Sequence, residues 1–324
     1  MEDTSTDAPD HGRQAAGSGG WQRTSSPDGT VIAWRAEGPP VRGATRRTPV
    51  VLCNGIACST GYWAPLVTQL VAARQVVQWD YRGHGRSGVP AARGATTIDD
   101  VLADLGAVLD AARITRAVVG GHSFGVQVAL EAARRRPDAV AAVVAVAGAA
   151  GHPLPDGATT SPVSPLTMVQ RAHGLEPDVV DRVWRRWWHS PLAHLLARAI
   201  GGTSLAAPPE VMREYYEHVS TRDIDVLLGM MQAMQAHDAG DLAGDLDVPL
   251  LVLAGDADRL TSLPRMAKLA LDAPDGELAV CHGGTHTLPI EQPDWIVEQL
   301  LPLLDRVDAL PAERSPPLTV APGA

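Results

Sequence analysis

The chain has 324 residues, a formal net charge of −10 and three cysteines. This length suits one large domain with an insertion, or two small ones, and needs no disulfide or metal staple. The acidic balance, with no basic stripe, argues against nucleic acid or an anionic membrane as partner. Three cysteines without zinc-site spacing point to a reduced, cytoplasmic protein.

Residues 1–20 are polar, without apolar periodicity, and read as a disordered tail with no secretory leader. Ser26-Pro27-Asp28-Gly29 is a hairpin turn, with a strand from Thr30 to Trp34 after it. Pro49 to Cys53 is a buried-strand run. It ends in Asn54-Gly55-Ile56, a loop whose backbone N–H groups can face a site. Tyr62 to Ala73 has helical spacing, and Gln75 to Trp79 is a further strand. The loop from Asp80 to Gly88 is glycine-rich but lacks the Gly-Lys-Ser/Thr ending of a phosphate loop. It reads as a tight turn pinned by Asp80 and Arg82. Ile98 to Ala112 is an amphipathic helix whose start is marked by Thr96-Thr97 and Asp99-Asp100.

Ala117 to Gly121 is a β-branched run that ends in glycines, and an Ala-rich helical stretch follows Gly125. Gly121-His122-Ser123-Phe124-Gly125 therefore sits at a strand–turn–helix bend, the G-x-S-x-G nucleophile elbow. The bend lifts the serine hydroxyl clear of the sheet, and the glycines leave room for strand and helix to approach. The Phe124 N–H, next after the serine, is placed to donate to an oxyanion. Val140 to Ala147 is the next strand. The run 139–150 is too short to span a bilayer.

From His152 to Gly240 the strand–helix alternation stops. Helical stretches run from Val180 to Trp188, Pro191 to Ile200, Pro209 to His218 and Asp223 to Ala236. Trp184, Trp187 and Trp188 cluster here, as do Met230, Met231 and Met234. Such stripes are ordinarily core; the alternative is a pocket between insertion and sheet, for which Trp184, Trp187, Trp188 and Met231 are the candidates. His189 and His237 are candidates for its edge. Alternation returns with a strand from Val248 to Ala254, closed by Gly255-Asp256-Ala257-Asp258. A helix from Pro264 to Leu271, a strand from Glu277 to Cys281, the loop His282 to His286 and a helix from Glu291 to Val307 follow. Residues 310–324 read as a second disordered tail.

The expected fold is α/β: a doubly wound, mostly parallel sheet built from 21–151 and 245–309, with an inserted helical cap over 152–244. The serine, an acid and a histidine come in that chain order, each at a strand end, where groups of a parallel sheet converge. The residues alone leave two choices open, Asp256 or Asp258 for the acid and His282 or His286 for the base. Asp256 and Asp258 alternate, so only one can face the histidine.

The chain resembles the α/β-hydrolase superfamily, in its branch of small esterases, lipases and cofactor-free peroxidases, over roughly Thr30 to Asp305. The matching stretches are Asn54-Gly55-Ile56, Asp80 to Ser87, Gly121 to Gly125, Gly255 to Asp258, and His286 with Glu291 and Pro293 downstream. One departure is Asn54, where relatives commonly carry histidine. The resemblance implies Ser123 as nucleophile, His286 as general base and acid, and Asp258 as the acid that orients it. It also implies an oxyanion hole made by the Ile56 and Phe124 N–H groups. It implies a serine hydrolase cleaving an ester or thioester of a small, partly apolar substrate, with no cofactor and no metal. A thioesterase, cyclase or acyl transferase of specialised metabolism, or a ligand-binding protein, are the alternatives on the same fold.

Overall fold

In the computed structural model of the chain, residues 20–40, 47–151, 165–199 and 201–309 are described. The expected tails fall outside these residues, Gly20 apart. The first half runs β1 (Gln22–Ser25), β2 (Val31–Glu37), β3 (Val50–Cys53), α1 (Ala64–Leu70), β4 (Val76–Trp79), α2 (Ile98–Ala111), β5 (Ala117–His122), α3 (Phe124–Arg135) and β6 (Val140–Val146). Among the described residues five helices follow: α4 (Pro165–Leu175), α5 (Pro177–Trp188), α6 (Pro191–Ala199), α7 (Pro209–Ser220) and α8 (Ile224–Ala236). The chain then returns to the sheet with β7 (Leu250–Gly255), α9 (Leu263–Asp272), β8 (Gly276–Cys281), α10 (Leu288–Glu291) and α11 (Pro293–Ala309).

The eight strands of the described residues form one sheet in the order β1-β2-β4-β3-β5-β6-β7-β8. The pairings β1–β2 and β2–β4 are antiparallel and the others parallel. The fold is the expected mostly parallel α/β sheet. Every residue of β3 to β7 is buried, which is why these strands read as continuous apolar runs. Alternation then sorts their side chains to two faces. Val51 and Cys53 join the core under α2, α3 and α9, with Leu105, Val126 and Met266. Val50 and Leu52 join the core under α1 and α11, with Leu66 and Ile296.

The expected helix start at 96–100 is a capping box. The Thr97 hydroxyl accepts the Asp100 N–H at 3.2 Å, and the Asp100 carboxylate accepts the Thr97 N–H at 2.8 Å. Two helices were not foreseen, α4 and the short α10. The helical stretches read from the sequence of 152–240 begin only at Val180, yet Pro165 is the first residue of α4, where a missing N–H costs nothing. On α8, Met230 is fully buried in the main core with Met234 packed against it, so the methionine stripe is core packing. No helix among the described residues is long and apolar enough to cross a membrane.

Candidate active site

Ser123 follows β5 directly and caps α3, with φ 54° and ψ −117°. A serine in this region costs on the order of 1–3 kcal/mol and needs a surrounding structure that holds it. The Ser123 N–H donates to the Val146 carbonyl at 3.1 Å, tying the bend to the neighbouring strand. A Cβ at Gly121 would run into the Gly125 carbonyl, and one at Gly125 into the Cys53 carbonyl. Only glycine at both positions lets α3 start this close to β3 and β5.

His286 lies in the loop after β8, with its Nε2 3.0 Å from Ser123 Oγ. Its Nδ1–H donates to Asp258 Oδ2 at 3.0 Å, which leaves Nε2 free to accept from the serine. The Asp258 side chain is fully buried. Burial pushes its pKa up, but the hydrogen bond and charge of His286 and the Thr261 donors outweigh this, and the net shift is downward. The Thr261 hydroxyl donates to Oδ2 at 2.5 Å, and the N–H groups of Leu260 and Thr261 donate to Oδ1 at 2.8 and 3.0 Å.

The two choices left open by the residues separate in space. Asp256 turns outward, where its carboxylate accepts from His282 Nδ1 at 2.6 Å and from the Gly283 N–H at 2.7 Å. The His282 side chain is wholly exposed. Ser123, Asp258 and His286 come together; Asp256 and His282 form a separate surface pair.

Phe124 is the first residue of α3, so its N–H has no partner within the helix. Ile56 lies across from it in the loop after β3, and both Ile56 and Ser123 line one cavity. Two groups hold that loop. The Asn54 side chain donates to the Trp79 carbonyl at 2.8 Å and accepts from Trp63 Nε1 at 2.9 Å. Asn54 therefore braces the loop against β4 and the start of α1, and does not line the cavity. The second group is His84, whose part the sequence did not reveal. Its Nδ1–H donates to the Arg82 carbonyl at 3.0 Å, and its Nε2 accepts the Ala57 N–H at 3.1 Å. Ala57 itself has φ 64°, so this bond holds a strained residue next to Ile56. Burial pushes the His84 pKa down to about 4 against the pull of the Arg82 carbonyl, with the Arg222 charge adding to the drop.

The loop Asp80 to Gly88 is a pinned turn. The Asp80 carboxylate accepts the Arg86 N–H at 2.9 Å, and Arg82 makes bonds of 2.7 to 2.8 Å to Asp104 and Asp28. His122 is also a brace. Its Nε2–H donates to the His286 carbonyl at 2.8 Å, and its ring stacks on Tyr62 at 4.7 Å. Burial, with the charge of His286, pushes its pKa down to about 3, so it is neutral.

Glu291 was noticed in the sequence only as a family mark. Its carboxylate accepts from the Thr285 hydroxyl and the Thr287 hydroxyl, each at 2.7 Å, and from the Thr285 N–H at 3.1 Å. It therefore holds the residues on both sides of His286.

The cavity at Ser123 has a volume of about 150 Å³. Its walls include Tyr62, Trp188, Ala197, Met212, Tyr215, Tyr216 and Leu260. Of the four pocket candidates, Trp188 alone is on this wall. Trp184 donates to the Val219 carbonyl at 3.1 Å and packs edge-on against Trp188. Trp187 is 38% exposed, on the outer face of α5 with Val179 and Val183. Met231 is half-buried on α8, away from the cavity. His189 and His237 pair with Glu217 and Glu131 instead of edging the cavity. Among the described residues, no group of three or more His, Cys, Asp or Glu side chains is placed to hold a metal ion.

A family model described as serine aminopeptidase, S33, matches residues 44–293. A protein named putative carbamate hydrolase RutD from Azorhizobium caulinodans is 28% identical over 261 residues, covering 81% of this chain and 92% of that one. Among solved structures, the enol-lactonase from Burkholderia xenovorans LB400 superimposes with a TM-score of 0.69 at 22% identity, covering 88% of this chain and all of that one. A thermophilic esterase from Thermogutta terrifontis gives 0.68 at 21% identity, covering 90% of this chain and 100% of its own. These two structures share the fold.

Proposed function

The chain belongs to the α/β-hydrolase family described as serine aminopeptidase, S33, and on that footing we propose that it cleaves a carboxylic ester of a small, partly apolar substrate through an acyl-enzyme. The observation that carries this reading is the unbroken relay from Ser123 Oγ to His286 Nε2 and from His286 Nδ1 to Asp258, both at 3.0 Å, opening on a largely apolar cavity.

In this reading Ser123 Oγ attacks the ester carbonyl carbon while His286 Nε2 takes its proton. The Asp258 carboxylate steadies the resulting imidazolium. The Ile56 and Phe124 N–H groups receive the carbonyl oxygen as it becomes anionic; removing one such donor typically costs about 10²–10³ in rate. Collapse of the tetrahedral intermediate expels the alcohol, which takes the proton from His286. Water then attacks the acyl carbon, gives a proton to His286, and the acid leaves as Ser123 regains that proton. The segment 152–244 acts as a helical cap whose α5 to α7 side chains close the cavity. A thioester offers the same carbonyl carbon and a better leaving group. The name of the Azorhizobium relative makes a carbamate the second reading.

The test is labelling with a fluorophosphonate probe, comparing wild type with Ser123→Ala, followed by a panel of esters, thioesters and carbamates. Labelling of the wild type alone, with ester turnover, is the expected result. Equal labelling or turnover by Ser123→Ala removes Ser123 from the mechanism.

A further inference from the structure

The cavity beside Ser123 has a limited volume and a definite charge character. No Asp, Glu, Lys or Arg side chain is among its described lining residues. The two histidines that line it are His286, bound to Asp258, and His122, whose Nε2–H is spent on the His286 carbonyl. Three of the wall's hydroxyls are engaged, while the wall also carries the Tyr215 and Tyr216 hydroxyls and the Trp188 Nε1–H, all of them neutral groups. Thr287 donates to Glu291 at 2.7 Å, Thr203 to the Met212 sulfur at 3.6 Å, and Tyr62 to the His286 carbonyl at 3.5 Å. Trp188, Tyr216, Met212, Ala197 and Leu260 supply apolar surface around them.

An aminopeptidase must hold the free ammonium of a peptide N-terminus, and a site for an acidic acyl chain must hold a second carboxylate. Either charge, desolvated without a partner, carries a cost that an apolar wall does not offset. A neutral acyl chain has the opposite balance, since each methylene buried there contributes about 0.8 kcal/mol. The volume sets the length. An apolar cavity of about 150 Å³ holds a ligand the size of benzene, roughly six heavy atoms.

We infer, building on the reading of Ser123 as nucleophile, that this cavity selects an uncharged acyl group of roughly six heavy atoms or fewer and does not accept a peptide N-terminus. The family's description as aminopeptidase therefore does not extend to the substrate of this chain. Trp188 and Met212 bound the cavity and set the length limit.

The experiment measures kcat/KM on 4-nitrophenyl esters of neutral acids with two, four, six, eight and ten carbons. It adds the 4-nitrophenyl hemiester of succinic acid and alanine 4-nitroanilide. Fluorophosphonate labelling of Ser123 is run on the same sample. The optimum is expected at four to six carbons, with a drop of at least about tenfold at ten, the size of effect one or more methylenes produce in an apolar pocket. The hemiester is expected about 100-fold below the butanoate ester, and the nitroanilide is not cleaved. Trp188→Ala, and independently Met212→Ala, move the optimum to longer chains. Labelling with a profile that keeps rising to ten carbons, or with cleavage of alanine 4-nitroanilide at a rate near that of the butanoate ester, overturns the inference and leaves the serine mechanism intact. No labelling and no turnover overturns both.

Discussion

The Glu291 carboxylate accepts the Ser204 N–H at 2.7 Å, joining residues 87 positions apart. The same carboxylate holds the two threonines that flank His286, and the His286 N–H donates to the Gly201 carbonyl at 3.1 Å. The segment between α6 and α7, which supplies Gly202 and Thr203 to the cavity wall, is thus fastened twice to the loop that carries His286. Glu291 is nearly buried, so its removal leaves several donors without a partner. Glu291→Ala is expected to cost about 3 kcal/mol in stability, from lost charge-assisted bonds and stranded donors. Its kcat is expected to fall about tenfold, as His286 loses its position. Denaturant unfolding and steady-state kinetics check this. A variant as stable and active as wild type would show that the fastening has no energetic role.

Asp256 and Asp258 are two residues apart and face opposite ways, which makes them a matched pair for testing the acid. Asp258→Asn leaves an amide beside His286 Nδ1, which supports the wrong tautomer; the loss in a chymotrypsin-type enzyme reaches about 10⁴ in kcat. Asp256→Asn touches only the exposed His282 and the Gly283 N–H, and is expected to leave kcat within about twofold. Kinetics on the two variants with one ester decide the matter. An inactive Asp256→Asn beside an active Asp258→Asn reverses the assignment.

The parts of the molecule that local chemistry dictates were legible in the sequence. The elbow is one: Gly121 answers to the backbone of Gly125 and Val126 a few residues on, and Gly125 completes the same motif although what it makes room for is the distant backbone of Cys53 and Asn54. The strands β3 to β7 are another, because burial on both faces demands unbroken apolar runs. The cavity wall was legible only in part. Trp187 and Trp188 are adjacent in sequence, yet about 100° apart around α5. Which of them turns inward depends on α5 packing against α7, where Trp188 stacks on Tyr216 at 6.0 Å. Nothing near Trp187 encodes that. Met231 was misplaced for a similar reason, since its neighbour Met230 takes the buried face of α8. The part of His84 depends on Ala57, 27 residues away, and a histidine in a glycine-rich turn carries no mark of such a partner.

Cys53 and Cys58 lie on either side of the loop that carries Ile56, and Cys58 lines the cavity. Burial pushes both thiols up to about 12. At pH 8 almost none of either is thiolate, and thiolate is the reacting form. Iodoacetamide is therefore expected to leave both unmodified in the native protein over an hour, with hydrolase activity retained, and to modify them once denaturant is added. Peptide mass mapping reads this directly. Rapid native modification of Cys58 with loss of activity would mean that the loop opens readily.

His84 gives the structure a defined weakness to acid. Its ring faces the Arg82 carbonyl, the Ala57 N–H, the Tyr81 ring at 6.2 Å, the His218 ring at 6.4 Å and the Arg222 charge. None of these partners stabilises a cationic imidazole as water does, and the folded pKa is near 4 against an ordinary 6.5. Between those values the unfolded chain binds the proton more readily than the folded one, so stability falls as pH drops through that window. A shift of this size corresponds to about 3 kcal/mol, present in full above pH 6.5 and lost as the pH nears 4. His122 and His218 are also pushed down, each to about 3, and add to the same trend. The contribution of His84 is isolated by His84→Gln, whose amide can accept from Ala57 and donate to Arg82 without titrating. Wild type is expected to exceed the variant in stability at pH 7.5, and the gap to shrink by about 2–3 kcal/mol at pH 4.5. Urea unfolding at the two pH values measures it. A gap of the same size at both would mean that His84 titrates normally in the folded protein and that its bond to Ala57 is not what holds the loop.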